Sequence, residues 1–265
     1  MSYLEIENLS FSYGKREIFR DVCLSADPGE IFCLTGPNGC GKTTLQHCIL
    51  GRLKPQSGSI SINGRSLSDY APRELAAETA YVPQNHTRAF PYRVLDVVAM
   101  GRLRNRRLSS GREDSEKAVQ VLGELGMEEL AEKEYTALSG GELQMVLVAR
   151  ALCQDSRILI LDEPAAHLDI KHSQRILNLL CRISRQRGKM IIMSTHDFNH
   201  PLLMADSGAN VRMALMHGGS LGPAERPEKL LSSGSLQEVY GIESRLLSVD
   251  GQRHFLAAWS REDGR

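Results

Sequence analysis

The stretch Gly36-Pro37-Asn38-Gly39-Cys40-Gly41-Lys42-Thr43 constrains this chain more than any other. It has the form G-x-x-x-x-G-K-[ST] and joins an apolar, strand-length run, Ile31 to Thr35, to a helix-forming run, Lys42 to Leu50. A turn this tight needs backbone angles and close approaches that a Cβ would block, and Gly36, Gly39 and Gly41 supply them. The inward N–H groups and the positive end of the following helix make an anion hole for phosphates. Lys42 adds a full charge for the β- and γ-phosphates, and the Thr43 hydroxyl suits Mg²⁺. The plain alternative is a glycine-rich turn with a chance lysine, and the strand–loop–helix context weighs against it. The motif implies a nucleoside triphosphate, not what its energy is used for.

The rest of the chain narrows the class. Its 265 residues and 42% hydrophobic content can bury a sizeable core. The formal net charge is zero and the pI about 7.1, so no broad positive field points to nucleic acid. The six cysteines (Cys23, Cys33, Cys40, Cys48, Cys153 and Cys181) form no C-x-x-C pair and read as mostly small buried hydrophobes in a reducing compartment. No charged-then-apolar leader opens the sequence, and no apolar stretch approaches the roughly 18 residues of a membrane span. The expectation is a soluble chain whose membrane role, if any, runs through a partner.

Taken in order, the alternating Leu4 to Glu7, continued by Leu9 to Tyr13, and Ile18 to Ala26 suggest an antiparallel layer. Tyr13 is either a half-buried strand tyrosine or an aromatic that stacks on a base. Ser57 to Gly64 reads as turn, strand, turn, and Pro72 to Ala77 as a short helix opened by proline. Ala80 to Gln84 is a strand whose carboxyl end carries Gln84, at the edge where open α/β sheets bind ligands. Gln84 there suits either solvent or Mg²⁺ and its water. Val94 to Met100 and Glu113 to Leu125 are helical, part of a helical lobe from His86 to Ala151. Its basic cluster of Arg102, Arg104, Arg106, Arg107 and Arg112 reads first as a solvated loop, second as a headgroup or partner contact.

Leu138-Ser139-Gly140-Gly141-Glu142 opens an amphipathic helix, with Ser139 at the N-cap and two glycines leaving the first N–H groups uncovered. It is an ordinary cap or a second phosphate contact. Ile158 to Leu161 is a buried parallel strand ending in Asp162-Glu163. Asp162 suits Mg²⁺ and Glu163 suits the base that polarises attacking water; two adjacent carboxylates would repel without a cation. After Leu168-Asp169, a long helix runs from Ile170 to Arg187. Met190 to Ser194 is another buried strand, ending in Thr195-His196-Asp197, with His196 placed to reach a γ-phosphate. His172, His200 and His217 read as structural or solvated. The remainder, Val211 to Ala258, carries short strands (Ala214 to Met216, Leu246 to Val249, His254 to Ala258) and a helical Leu236 to Tyr240, a small closing region.

The phosphate loop, Gln84, Leu138 to Glu142, Asp162-Glu163, Leu168-Asp169 and His196, in this order, resemble the ATP-binding subunit of ATP-binding-cassette transporters, from Leu4 to about Gly241. The resemblance implies a single cassette domain over 1–265, an α/β P-loop NTPase core with an N-terminal antiparallel β layer and an inserted helical lobe. Residues 1–85 and 152–265 form the β layer and core, and 86–151 the lobe. It implies a head-to-tail homodimer in which the phosphate loop of one copy and the Ser139 segment of the other enclose each ATP. By that likeness Tyr13 stacks on adenine, and Gly36, Pro37, Asn38, Gly39, Cys40, Gly41, Lys42, Thr43, Thr44, Ser139, Gly140, Gly141, Glu142 and Asp169 serve the nucleotide. Thr43, Gln84 and Asp162 serve Mg²⁺, Glu163 is the base, His196 contacts the γ-phosphate and Asp169 links the two sites. The sequence departs from the family pattern at Glu142, at Leu143 and Met145, and at Ala165-Ala166-His167.

The run Phe90-Pro91-Tyr92-Arg93-Val94-Leu95-Asp96-Val97-Val98-Ala99-Met100-Gly101-Arg102 looks like that of bacterial metal-chelate importers for iron–siderophore, haem, cobalamin or molybdate. The implied partners are a separate membrane permease, docked by residues after Gln84, and indirectly a substrate-binding protein, with no nucleic acid. The implied location is peripheral, on the cytoplasmic face of the membrane. The alternative within the same ATPase core is a soluble protein of translation or DNA repair. A non-catalytic regulator is disfavoured by intact Lys42, Glu163 and His196.

Overall fold

The computed structural model describes residues 2–84, 86, 90–105 and 111–258, with side chains omitted at 103–105 and 258. The chain begins with β1 (Leu4–Tyr13) and β2 (Arg16–Ala26), then β3 (Glu30–Thr35), α1 (Lys42–Ile49), β4 (Ser57–Ile62), β5 (Arg65–Ser66), α2 (Pro72–Glu78) and β6 (Thr79–Val82). The helical stretch holds α3 (Val94–Ala99), α4 (Gly111–Glu124) and α5 (Gly140–Cys153). Then come β7 (Ile158–Leu161), α6 (Ile170–Arg187), β8 (Met190–Ser194), α7 (Asn199–Asp206), β9 (Asn210–His217), β10 (Ser220–Leu221), α8 (Pro227–Ser232), α9 (Ser235–Tyr240), β11 (Glu243–Val249) and β12 (Gln252–Ala258).

Two sheets carry the fold. One is antiparallel, in the order β2-β1-β4-β5; the other runs β10-β9-β3-β8-β7-β6, with β9, β3, β8, β7 and β6 mutually parallel. The antiparallel layer is thus completed by two strands that follow α1. The parallel strands read as unbroken apolar runs because they are covered on both faces. Alternate residues feed two cores: Ile31, Cys33, Leu159, Leu161, Ile191 and Met193 enter the core shared with α5 and α6. Phe32, Leu34, Ile158, Ile160, Met190 and Ile192 pack with α1 and the antiparallel layer. The expected α/β P-loop core with an antiparallel layer and helical lobe is therefore present.

The closing region differs from expectation. Its strand is longer, Asn210–His217, and α7 and α8 were not anticipated. Both helices are short, of eight and six residues, and α7 carries Pro201 inside it, so neither has a clear helical periodicity. The hairpin of β11 and β12 packs on α7, where the Arg253 Nε donates to Asp206 at 2.7 Å and the Phe255 N–H donates to Asn199 Oδ1 at 2.8 Å. Four cysteines are buried, as expected, while Cys40 is partly exposed and Cys23 exposed. Within the basic cluster, Arg102 pairs with Asp114 and Arg112 with Glu116; the side chains of Arg104, Arg106 and Arg107 lie outside the described residues. No helix among the described residues is long and apolar enough to cross a membrane.

Candidate active site

The parallel register brings four strand ends to one edge: β3 leads into Gly36, β6 into Gln84, β7 into Asp162 and β8 into Thr195. Cross-strand bonds continue past the strands and hold these exits together, with the Asp162 N–H donating to Val82 O at 2.9 Å and the Thr195 N–H to Leu34 O at 3.0 Å.

In the phosphate loop, Gly36 has φ +145° and a Cβ there would sit 2.2 Å from Met216 O. Gly41 has φ +112°, and its Cβ would meet Ile18 and Met216 at 2.9 Å. Only glycine fits these two positions. Lys42 is buried, at 6% exposure, and its ammonium donates to Gly36 O at 2.7 Å and Pro37 O at 3.0 Å. Ile18 and Phe19 of β2 thus lie against the loop, and the same hairpin carries Tyr13, 51% exposed at its tip.

The Thr43 hydroxyl donates to Asp162 Oδ2 at 2.9 Å, and the Ser194 hydroxyl donates to Asp162 Oδ1 at 2.6 Å. Ser194 also accepts from the Glu163 N–H at 2.9 Å, so one buried hydroxyl holds both acidic residues. Glu163 adopts φ +46°, in the left-handed region, which for such a residue costs on the order of 1–3 kcal/mol and persists only where neighbours enforce it. Gln84 Nε2 donates to Glu163 Oε2 at 2.9 Å, and His196 Nδ1 lies 3.2 Å from that same oxygen. The half-buried His200 contacts Thr195 Oγ1 through Nδ1 at 3.1 Å, and desolvation lowers its basicity. Ser194 is the functional residue that sequence reasoning passed over; the available signal was a hydroxyl closing an otherwise apolar five-residue strand.

The Ser139 segment forms a second cluster. Ser139 caps α5, its hydroxyl accepting from the Glu142 N–H at 3.3 Å. Glu142 uses its own carboxylate inside the chain, accepting from the Ser139 N–H at 2.8 Å and from Lys133 at 2.9 Å. These bonds, Lys133 first, hold its carboxyl down at about 2. The Glu142 carboxylate thus completes the cap of α5 within this chain, and the backbone start of the helix stays available. Asp169 caps α6 by accepting from the His172 N–H at 2.8 Å, and its bonds to His172 lower its carboxyl. Leu168 lies 3.9 Å from where a Gly140 Cβ would be, so the Asp169 segment and the Ser139 segment adjoin.

The family model described as ABC transporter matches residues 19–166. The ABC transporter ATP-binding protein YvrA of Bacillus subtilis, uncharacterised, is 36% identical over 91% of this chain, which spans 54% of that protein. The hemin import ATP-binding protein HmuV of Gloeobacter violaceus is 37% identical, covering 88% of this chain and 85% of its own length. The iron(3+)-hydroxamate import ATP-binding protein FhuC of Bacillus subtilis is 32% identical over 94% of this chain and 91% of its own. Among solved structures, a protein provisionally assigned as a metal-chelate type ABC transporter, in an inward-facing conformation, superposes with TM-score 0.84 at 27% identity, covering 98% of each chain.

Proposed function

The chain belongs to the ABC transporter family, and from that premise we propose that it powers import of an iron–siderophore, haem, cobalamin or related metal complex through a separate membrane permease. ATP is its substrate, and its hydrolysis is the reaction the family performs. The import assignment is supported by relatives named for hemin and iron(3+)-hydroxamate import. Those relatives do not favour the alternative in translation or DNA repair.

The observation that carries the catalytic reading is the convergence of Gln84 and His196 on one oxygen of Glu163, beside the Thr43–Asp162 pair. Glu163 is the base: its side chain is 12% exposed, and its carboxylate accepts a proton from attacking water. His196, 59% exposed on its side chain, faces outward to donate to a γ-phosphate. The Lys42 ammonium and the glycine-shaped loop bind the phosphates. The Thr43 hydroxyl and the Asp162 carboxylate form a hard-oxygen pair that fits Mg²⁺, an ion that takes one or two carboxylates and completes its shell with phosphates and water. Mg²⁺, when bound, neutralises charge on the phosphate oxygens. Tyr13 stacks on the adenine.

The Ser139 helix start and Asp169 sit together, and the proposed second copy, arranged head to tail, would bring its phosphate loop to them. Docking of a permease helix is supported by the exposed Phe90 and Tyr92, and by a groove of about 1180 Å³ between residues 50–60 and the lobe, lined by Arg52, Tyr70, Leu75, Met100, Arg150 and Gln154. Association with the membrane then runs through the permease, at its cytoplasmic face.

The test is recovery of the Glu163→Gln protein, with ATP, from detergent-solubilised native membranes, followed by mass spectrometry. A polytopic permease is the expected partner, and its binding protein identifies the cargo. Ribosomal or DNA-repair partners without a permease would overturn the proposal.

A further inference from the structure

His172 lies outside every role assigned so far, yet it touches both segments of the second cluster. Its Nδ1 is 2.8 Å from Asp169 Oδ2, while Oδ1 of the same carboxylate accepts the His172 N–H at 2.8 Å. A carboxylate only accepts, so the ring nitrogen carries the proton of that bond. The other side of the ring rests on the α5 backbone: a Cβ at Gly141 would fall 2.2 Å from Cδ2, 2.4 Å from Cγ and 2.9 Å from Nε2 of His172. The imidazole therefore spans from the cap of α6, rooted in the core, to the first turn of α5, rooted in the lobe. A free surface histidine would need neither contact, and its side chain is only 32% exposed.

We propose that His172 is a positioning residue that joins Asp169 to the Gly140-Gly141 helix start, so that the two segments meet a second copy as one body. The inference rests on the head-to-tail reading above. Separately anchored, Asp169 and the α5 N-terminus would each have to be ordered when the partner's nucleotide arrives. Joined through one ring, they are pre-organised, and that ordering cost is removed from the association step. The ring does not touch the phosphate loop, so the nucleotide affinity of a single copy does not depend on it.

The experiment uses the full chain carrying Glu163→Gln, with ATP-driven dimerisation read by light scattering and single-copy affinity read with a fluorescent ATP analogue in dilute protein. His172→Ala is expected to raise the ATP concentration for half-maximal dimerisation about tenfold, the scale of one lost charge-assisted bond. The analogue affinity is expected to stay within about twofold. His172→Asn keeps a donor for Asp169 without the ring, and His172→Phe keeps the ring without the donor. Each should show most of the loss, because a bridge needs both ends; these two variants also carry the test if His172→Ala fails to fold. Dimerisation at the parent concentration in any of the three overturns the inference, as does a parallel loss of analogue affinity. Failure of the parent Glu163→Gln protein to dimerise would instead overturn the head-to-tail reading, and this inference with it.

Discussion

Replacing Ser194 by alanine removes one hydroxyl and two hydrogen bonds at the centre of the site. The first, to Asp162 Oδ1 at 2.6 Å, is charge-assisted, and bonds of this kind contribute about 1.5–3 kcal/mol. The second leaves the Glu163 N–H without its acceptor, an omission that costs about 1–3 kcal/mol when the donor is shielded from water. The two share an atom and do not simply add, so a destabilisation of about 2–4 kcal/mol is expected. In a chain of this size that corresponds to a Tm lowered by about 5–10 °C. Function should suffer by a separate route. The left-handed backbone at Glu163, φ +46°, relaxes once its N–H is released, and displacement of a catalytic group by an ångström can cost on the order of 100-fold in rate. Lys42 and the loop glycines are untouched, so ATP affinity should change far less than kcat. Thermal melting, ATP turnover and equilibrium nucleotide binding on the purified Ser194→Ala protein test this. A Tm within 2 °C of the parent together with kcat within about twofold would refute the reasoning, since it would mean that the hydroxyl holds neither acid.

Two loop glycines should respond differently to alanine: Gly36, at φ +145° with Met216 O 2.2 Å from the new Cβ, has nowhere to put a methyl, whereas at Gly39, φ +77°, nothing lies within 4 Å. Gly36→Ala should lose more than about 3 kcal/mol and nucleotide binding, Gly39→Ala only the backbone strain of about 1–2 kcal/mol, as read by urea unfolding and ATP binding. The Glu142 carboxyl, held at about 2 against an ordinary value of 4.5, contributes stability that is whole above about pH 5 and shrinks as pH falls toward 2, because the unfolded chain takes up the proton first. Its side chain is 27% exposed, so the contribution is screened to roughly 1 kcal/mol; the gap in urea midpoint between the parent and Glu142→Gln should hold from pH 7 to 5 and narrow by pH 3.5, and a gap that widens in acid contradicts the assignment. Cys40 lies 3.9 Å from the Lys42 ammonium and is partly exposed, while burial pushes the Cys48 thiol up to about 12 and Cys153 to about 11. In a Cys23→Ser background, thiol alkylation should therefore block nucleotide binding with ATP protecting, and unchanged affinity after complete modification of Cys40 would argue against it.

How much of this was legible in the sequence depends on whether the determinant was local. The phosphate loop and the strand ends at Gln84, Asp162 and His196 were readable because each follows an apolar run buried on both faces, and such runs have few alternatives to a parallel sheet. Ser139 was readable as an N-cap because capping is settled within one helical turn. The bond from Lys133 to the Glu142 carboxylate was not, because no periodicity links the two residues. Nor was the backbone of Glu163, whose left-handed angle depends on a hydroxyl from a different strand. The closing helices Asn199–Asp206 and Pro227–Ser232 were missed for a related reason: they are too short to show a period, and tertiary packing against the β11–β12 hairpin and β9 supplies what propensity does not. In each case the residue types were visible and the partner was not. The chemistry of the site was accordingly written in the chain order of its motifs. The positioning of that chemistry lies in Ser194, Lys133 and His172, ordinary polar residues whose meaning exists only once the strands and helices are side by side.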